Sequence, residues 1–380
     1  MMLPNVLKNE LKEILIHLVT LPSENPPGET KDIVRYLMLE VLKEEDGFRN
    51  KVVTHKKNGI TLHNLITRIG TGDNKIIISG HLDVVPAGDQ SKWTYPPFSP
   101  RIINGRLYGR GSADMKGGIT SIIGVLKTLN SNKKFLRESE LIFLGTADEE
   151  SGMSGSSTLS TKGVMEDVNL LIIAEPTNLK IGIAEKGVIW VSLGIYGKAA
   201  HGSTPEEGLN AIEAGLMLIP KLQNCLDKKQ NPILGASTFN IGKFKGGTKI
   251  NVVPDYAEME LDFRIVPEQS PESLITKIKA LKLDPFRLEF VLKNNLPALQ
   301  TSSNHIFIKN LRSYGNVELV GLPYATDAAK FINPDDPIQF VIYGPGNPSE
   351  AHKINESITL HQVFKAAEFL SGALAKTYTN

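Results

Sequence analysis

The sequence lacks several features that would point to particular classes of protein. Its 380 residues include a single cysteine, Cys225, so no intrachain disulfide can form, and we expect a cytoplasmic protein. No apolar run is long enough to span a bilayer, and the first residues do not resemble a signal peptide. The formal net charge is only +1 and no block of Lys or Arg stands out, which argues against nucleic acid or an anionic membrane as partner. A small-molecule substrate is therefore expected.

The chain is long enough for two domains and has the composition of an ordinary globular protein, with 41% hydrophobic and 22% charged residues. Leu7, Leu11, Ile14, Leu15 and Leu18 recur at helical spacing, which predicts an amphipathic helix at the N-terminus. Short apolar runs follow, separated by helical stretches, at 75–80, 140–146, 169–175 and 338–344. Such runs are typical of a mostly parallel sheet covered on both faces, so an α/β architecture is predicted.

The pattern changes between Ile181 and about Lys293. There the apolar periodicity indicates the order β-α-β-β-α-β, which is that of a ferredoxin-like unit. Because the run at 338–344 resembles another strand of the larger sheet, we predict that this second domain is inserted into the first. The predicted limits are 1–177 and 294–380 for the catalytic domain and 178–293 for the insert.

Acidic residues and histidines follow the predicted buried strands. In open α/β sheets the ligand site lies beyond the carboxyl ends of the strands, so these side chains are expected to converge in one crevice. Asp114 follows a glycine-rich turn (GRGSADMKGG) and can join them. The strand-end residues are His81 and Asp83 after the first run, Asp148, Glu149 and Glu150 after the second, Glu175 after the third, and Glu350 and His352 after the last.

This combination of imidazoles and carboxylates, without a cysteine partner, suits Zn²⁺ or a similar divalent ion. The set is larger than one tetrahedral ion needs, so two ions that share a bridging carboxylate are predicted. Glu149 and Glu150 are neighbours and point differently in an extended segment, so that one can bind metal while the other transfers protons.

Several motifs, in order, resemble one known family of hydrolases. They are SGHLDVVPAG, WTYPPFSP, GRLYGRGSADMKGG, TADEESG, AEPT, GKAAHGSTP, GGTKINVVP, LDFRIVP and GPGNPSEAHKINE. The sequence is similar to the family of succinyl-diaminopimelate desuccinylase, acetylornithine deacetylase, aminoacylase and the glutamate-releasing carboxypeptidases. The resemblance spans nearly the whole chain. It implies a catalytic α/β domain with two zinc ions and an inserted ferredoxin-like dimerisation domain, and therefore a homodimer.

The resemblance also implies roles for individual residues. One ion would be bound by His81, Asp114 and Glu175, and the other by His352, Asp114 and Glu150. The remaining roles are Glu149 as general base and acid, Asp83 as the residue that orients His81, His201 as an oxyanion donor to the partner subunit's site, Asn251 and Arg264 as ligands of the substrate carboxylate, and Thr326 as a lining residue of the same pocket.

The expected reaction is hydrolysis of the amide bond of an N-acyl amino acid, with two divalent ions as cofactors, zinc first and cobalt as the alternative. N-succinyl-LL-2,6-diaminopimelate is the leading substrate. Acetylornithine and small peptides stay open, because the segment YATDAAKF departs from the glycine-rich pattern of the common bacterial desuccinylases. A relative that has lost its chemistry and serves as a scaffold is a further alternative, against which the intact ligand set and Glu149 argue.

Overall fold

The computed structural model describes residues 2–315 and 317–379. The strands, in chain order, are β1 (Arg49–Lys57), β2 (Ile60–Gly70), β3 (Asn74–His81), β4 (Arg101–Ile103), β5 (Arg106–Tyr108), β6 (Ser139–Thr146), β7 (Val168–Ile173), β8 (Ile181–Glu185), β9 (Gly187–Tyr196), β10 (Gln230–Asn231), β11 (Gly235–Ala236), β12 (Thr238–Gly246), β13 (Tyr256–Ile265), β14 (Arg287–Leu296), β15 (Leu299–Gln300), β16 (Leu319–Leu322), β17 (Phe340–Ile342) and β18 (Ser357–Thr359).

The helices alternate with these strands along much of the chain. They are α1 (Asn5–Thr20), α2 (Lys31–Tyr36), α3 (Gly117–Asn130), α4 (Lys133–Glu138), α5 (Ser154–Thr161), α6 (Ala211–Gln223), α7 (Pro271–Lys279), α8 (Ile306–Arg312), α9 (Ala328–Phe331) and α10 (Leu360–Tyr378). The predicted N-terminal helix is confirmed, and α1 buries Leu11, Ile14, Leu15, Leu18 and Val19 on one face. Among the described residues, none of the helices combines the length and the apolar character that crossing a bilayer requires.

The chain divides into two compact units. The first comprises Met1–Ile183, Thr301–Val320 and Thr326–Asn380, and the second comprises Ala184–Gln300 and Gly321–Ala325. The second unit is thus formed largely by one continuous segment between two parts of the first. The domain limits at 177/178 and 293/294 stay a prediction.

The first unit is built on a mixed sheet with the strand order β1-β2-β6-β3-β7-β17-β8. Its centre is parallel: β3 pairs with both β6 and β7, and β17 pairs with β7. These strands contain the predicted apolar runs and are almost entirely buried, as expected for parallel strands that are covered on both faces. Helix α3 packs against α1, α10 and β3. The predicted α/β class is confirmed.

The second unit contains a four-stranded antiparallel sheet with the order β12-β13-β9-β14. In chain order the elements are β9, α6, β12, β13, α7 and β14, which is the predicted ferredoxin-like arrangement, apart from the small β10-β11 hairpin that lies between α6 and β12. Alternate residues of β13, including Met259, Leu261 and Phe263, are buried, and they pack in a core with apolar residues of α6 and α7. Strands β12 and β14 form the two edges of this sheet.

Candidate metal centre

The parallel strands of the first unit bring their chemistry-bearing residues to one edge. His81 at the end of β3 is in register with Thr146 at the end of β6, and Ser79 is in register with Ile173 at the end of β7. The segments that follow these strands carry Asp83, Glu149, Glu150 and Glu175. The strand register therefore places the predicted residues beside one another.

Asp114 lies at the centre of this group. It belongs to a single tight turn, Ser112–Lys116, that precedes α3, and its own φ and ψ of −123° and 95° are not helical. One carboxylate oxygen, Oδ1, lies 3.0 Å from Nε2 of His81, and the other, Oδ2, lies 3.2 Å from Nε2 of His352. Each oxygen of Asp114 thus faces a different histidine, which is the arrangement that a bridging carboxylate requires.

Two further carboxylates complete the two halves of the site. Oε1 of Glu175 lies 3.6 Å from Nε2 of His81, and Oε2 of Glu150 lies 3.2 Å from Nε2 of His352. His81 is buried, whereas the side chain of His352 is 55% exposed, so the His352 half of the site is open to solvent.

These distances fit a pair of divalent ions. Ligand atoms at about 2.0–2.1 Å from a tetrahedral zinc ion lie about 3.3 Å from each other. Single ligand atoms of His81, Asp114 and Glu150 lie within 4.8 Å of one another. Oε1 of Glu150 is buried and has no hydrogen-bond partner among the described residues, although buried carboxylate oxygens are normally paired. The donor set of nitrogen and oxygen atoms therefore fits zinc or a similar ion.

The electrostatics of the site favour a cation. Burial raises the pKa of the Glu149 and Glu175 carboxyl groups well above their usual range, and neighbouring carboxylates raise both further. Hydrogen bonds to Asp114 and Glu150 raise the pKa of His352 to about 10. The part of these shifts that comes from neighbouring carboxylates reflects a concentration of negative charge, which a divalent cation would neutralise.

Asp83 contacts His81 in a way that the sequence did not indicate. Nδ1 of His81 lies 2.9 Å from the backbone carbonyl oxygen of Asp83 and 3.9 Å from its carboxylate. The carboxylate instead accepts hydrogen bonds from the backbone N–H groups of Glu149 and Glu150, each at 3.2 Å. The main chain of Asp83 therefore contacts the imidazole, and its side chain holds the turn that carries the two glutamates.

The same turn is held by Asp148, which the sequence placed after the second strand, and by Asn25 and Lys57, which were not singled out from the sequence. Asp148 has a left-handed backbone conformation with φ of 68°. Each of its carboxylate oxygens accepts a hydrogen bond from Nζ of Lys57 at 2.7 Å. Nδ2 of Asn25 donates to Asp83 at 2.8 Å and to Asp148 at 3.0 Å, so one amide joins two buried carboxylates. Asn25 and Lys57 are distant in sequence and lie in no recognisable motif for this role.

Glu356 is another residue whose role was not predicted from the sequence. Its buried carboxylate accepts hydrogen bonds from the backbone N–H groups of Gly111, Ala113 and Asp114 at 3.0, 2.8 and 3.0 Å. The sequence contained one signal, since Glu356 closes the same motif, GPGNPSEAHKINE, that supplies His352. A carboxylate that receives three backbone donors fixes the loop on which Asp114 lies.

The predicted residues His201, Asn251 and Arg264 lie in the second unit. His201 is exposed, and its Nδ1 lies 2.7 Å from Oγ of Ser203. The backbone carbonyl of Asn251 accepts a hydrogen bond from Gly202 at 2.8 Å. Nε and Nη2 of Arg264 donate to Asp262 at 2.8 to 3.1 Å, so part of the guanidinium fork is already paired.

Thr326, by contrast, lies in the first unit. Its side chain is buried, and its hydroxyl accepts a hydrogen bond from the backbone N–H of Ala328 at 3.2 Å. The next residue, Asp327, is also buried and accepts a hydrogen bond from Thr146 at the end of β6 at 2.6 Å. Thr326 therefore lies at the start of α9. The carboxylate of its neighbour Asp327 connects this helix to the end of β6, the strand that precedes Glu149 and Glu150.

Comparison with known proteins identifies the family of this arrangement. Residues 77–376 match the sequence profile of peptidase family M20/M25/M40. A protein of Staphylococcus aureus (strain MSSA476) named "Probable succinyl-diaminopimelate desuccinylase" is 29% identical, with 97% of this chain and 98% of that protein covered. The acetylornithine deacetylase of Vibrio parahaemolyticus is 27% identical, with 99% of each chain covered. The solved structure of the M20 family metallo-carboxypeptidase Sso-CP2 from Sulfolobus solfataricus matches with a TM-score of 0.77 at 21% identity, covering 96% of this chain and 98% of that one.

Proposed function

The chain belongs to peptidase family M20/M25/M40 and is a metal-dependent hydrolase of amide bonds, and we propose that it cleaves an N-acyl amino acid with two ions bound around Asp114. The observation that carries the proposal is the position of Asp114, with one carboxylate oxygen facing each of two histidines. His81, Asp114 and Glu175 would hold one ion, and His352, Asp114 and Glu150 would hold the other.

The ions, when bound, supply Lewis acidity: they polarise the amide carbonyl and lower the pKa of the attacking water. Glu149 serves as the proton carrier. Its carboxylate takes a proton from water as the water oxygen bonds to the carbonyl carbon, and it delivers that proton to the amide nitrogen as the C–N bond breaks. The second proton of the water also passes to the nitrogen as the new carboxyl group ionises, so the products are a carboxylate and an ammonium group. Asp83 supports this role, because its side chain accepts the backbone N–H of Glu149 at 3.2 Å and so fixes the start of the turn.

N-succinyl-LL-2,6-diaminopimelate is the first candidate substrate, and succinate and LL-diaminopimelate are its products. The similarity to the Staphylococcus aureus protein over nearly the full length of both chains supports this choice. The second candidate is N-acetylornithine, supported by the similarity to the Vibrio parahaemolyticus deacetylase, and a short peptide is the third. The three candidates share an amide bond next to a carboxylate.

A hydrolysis panel separates these candidates. The protein, loaded with Zn²⁺ or Co²⁺, is given N-succinyl-LL-diaminopimelate, N-acetylornithine and a set of dipeptides, and kcat/KM is measured for each. The succinylated substrate is expected to give the highest value. Glu149→Ala protein prepared in the same way controls for contaminating hydrolases. A higher kcat/KM for another candidate would reassign the substrate, and no hydrolysis of any amide would contradict the proposed function.

We further propose that the active form is a homodimer in which His201 reaches the partner's site and stabilises the oxyanion. Inside its own unit the exposed imidazole of His201 bonds to the neighbouring Ser203, which leaves Nε2 available. Strands β12 and β14 are the edges of their sheet, with no further strand beside them in the described part of the chain, and Leu216 and Met217 on α6 are 55% and 57% exposed. Pairing of two such units would cover both features.

His201→Ala is expected to lower kcat about 10²-fold with little change in KM or metal content, because an oxyanion donor acts mainly in the transition state. Mixing His201→Ala with Glu149→Ala subunits under exchange gives mixed dimers with one intact site. Activity is then expected to rise to about one quarter of the wild-type value in a random equimolar mixture. If subunit exchange is demonstrated and hydrolysis still does not recover, His201 does not act on the partner's site.

A further inference from the structure

We infer that Glu356 and Arg110 form a buried pair that positions Asp114 and His352 and thereby sets the affinity for the ion on the His352 side of the site. Neither residue is among the ligands of the two ions, and the inference rests on the proposed two-metal function. Both residues would act by positioning the metal ligands and not on the substrate itself.

Glu356 holds the loop that carries Asp114. Oε1 accepts the backbone N–H groups of Ala113 and Asp114 at 2.8 and 3.0 Å, and Oε2 accepts that of Gly111 at 3.0 Å. Gly111 has φ of 79°, and a Cβ at this position would clash with Val84, so only glycine fits this close approach of the loop to the segment that follows β3. The carboxylate of Glu356 therefore fixes the main chain at Asp114 and over the residues directly before it.

Arg110 connects that carboxylate to the segment that carries His352. Its Nη1 donates to Oε2 of Glu356 at 2.7 Å and to the backbone carbonyl of Lys353 at 3.2 Å. The guanidinium lies over the ring of Trp93, with 5.1 Å between its central carbon and the ring centroid, and both members of the pair are buried. Arg110 thus holds the backbone directly after His352, and Glu356, to which it is bonded, holds the backbone of Asp114.

The two halves of the site depend on this pair to different degrees. His81 ends β3 and Glu175 follows β7, so two of the three ligands of the first ion are positioned by central strands. On the other side, Asp114 and His352 both lie on segments that the Glu356–Arg110 pair holds, and His352 has a positive φ of 62° and a half-exposed side chain. Loss of the pair should therefore weaken the His352 side more than the His81 side.

Glu356→Gln tests this inference. The variant keeps the size of the side chain, but its amide group places N–H donors against a backbone N–H or against Arg110, where only an acceptor fits. Loss of a residue that orients metal ligands typically lowers metal affinity about 10–100-fold. We therefore expect metal-free Glu356→Gln protein titrated with Zn²⁺ to bind one ion as tightly as wild type and the second about 10–100-fold more weakly. A high concentration of Zn²⁺ should restore the second ion and hydrolysis.

Glu368→Gln is a matched control. Glu368 is also buried in the first unit and is bonded to a cation and to a backbone N–H, Lys8 at 2.9 Å and Leu3 at 3.1 Å. Its bonds involve no metal-binding segment, so this variant should lose stability while it binds both ions as wild type does. If Glu356→Gln fails to fold, as judged by circular dichroism, Arg110→Lys serves in its place with the same expected result. Lysine lacks the planar fork by which Nη1 reaches Glu356 and Lys353 while Nη2 reaches Pro86, and it lacks the flat face that lies over Trp93.

The outcomes separate this inference from the proposed function. The inference is supported if wild-type protein binds two ions and Glu356→Gln binds only the second ion more weakly. If Glu356→Gln binds both ions with unchanged affinity, or binds both more weakly to the same extent, the positioning role is overturned and the proposed function is unaffected. A wild-type protein that binds fewer than two ions contradicts the proposed function itself, and the inference with it.

Discussion

Exhaustive removal of divalent ions is expected to lower hydrolysis about 10³-fold, since the Lewis acidity of bound ions contributes several kcal/mol to this kind of reaction. The cluster offers two imidazoles and three carboxylates at separations of 3.0 to 3.6 Å, and it has no lysine or arginine in these contacts to replace the missing positive charge. The measurement is kcat/KM for the best substrate of the panel, before chelation, after chelation and after addition of a defined ion.

Zn²⁺ or Co²⁺ should restore activity to the metal-free protein, whereas Mg²⁺ should restore much less. Magnesium prefers all-oxygen ligands and retains water, and a site with two histidine nitrogens suits it poorly. Mg²⁺ therefore serves as the matched control for a nonspecific effect of divalent charge. Full activity in protein verified as metal-free would contradict the proposed mechanism.

Glu149→Ala is expected to lower kcat about 10²- to 10⁴-fold while the protein keeps close to two ions per chain. In the proposed reaction the Glu149 carboxyl carries the proton from water to the leaving nitrogen, and alanine can do neither step. The neighbouring carboxylates of Asp114, Glu150 and Glu175 already face the two histidines, so they are not available for this transfer. Single-turnover kinetics together with metal analysis of the same sample provide the measurement.

Glu150→Ala is the matched control for this variant, because the two glutamates are adjacent in the same turn. Oε2 of Glu150 lies 3.2 Å from Nε2 of His352, so its removal should reduce metal content as well as turnover. Retained turnover in Glu149→Ala, or an equal loss of metal from both variants, would remove Glu149 from the role of proton carrier.

The part of the site that could be predicted from the sequence is the part that regular strands position. His81, Glu149, Glu150 and Glu175 follow buried apolar runs, and parallel pairing brings the ends of such runs to one edge. The central strands could be predicted because burial on both faces leaves a continuous apolar run. The ferredoxin-like order could be predicted because burial on one face leaves a periodic apolar pattern in its strands and helices.

The contacts that hold the ligands could not be predicted in the same way. Glu356 bonds to residues 242 to 245 positions away, and the periodicity of a local segment contains no information on such partners. Asp83 illustrates the same limit at short range. The family resemblance implies that Asp83 orients His81, but its backbone carbonyl makes the closer contact to the imidazole, and its carboxylate bonds to the turn after β6.

The pairing of Arg264 with Asp262 could have been found from the sequence. Residues two apart on a strand point to the same face, so a carboxylate two positions before an arginine is a ready partner. A substrate carboxylate at Arg264 would then share the guanidinium with Asp262 or displace it. The roles of Arg264, Asn251, His201 and Thr326 and the cytoplasmic location stay predictions.

Anomalous diffraction from crystals of the zinc-loaded protein, recorded at the zinc absorption edge, tests the central claim most directly. The proposed function predicts two peaks in each chain, one within bonding distance of His81, Asp114 and Glu175 and the other within bonding distance of His352, Asp114 and Glu150, with one oxygen of Asp114 on each ion. A single peak, or peaks that do not share Asp114, would contradict the two-metal site on which the proposed reaction depends.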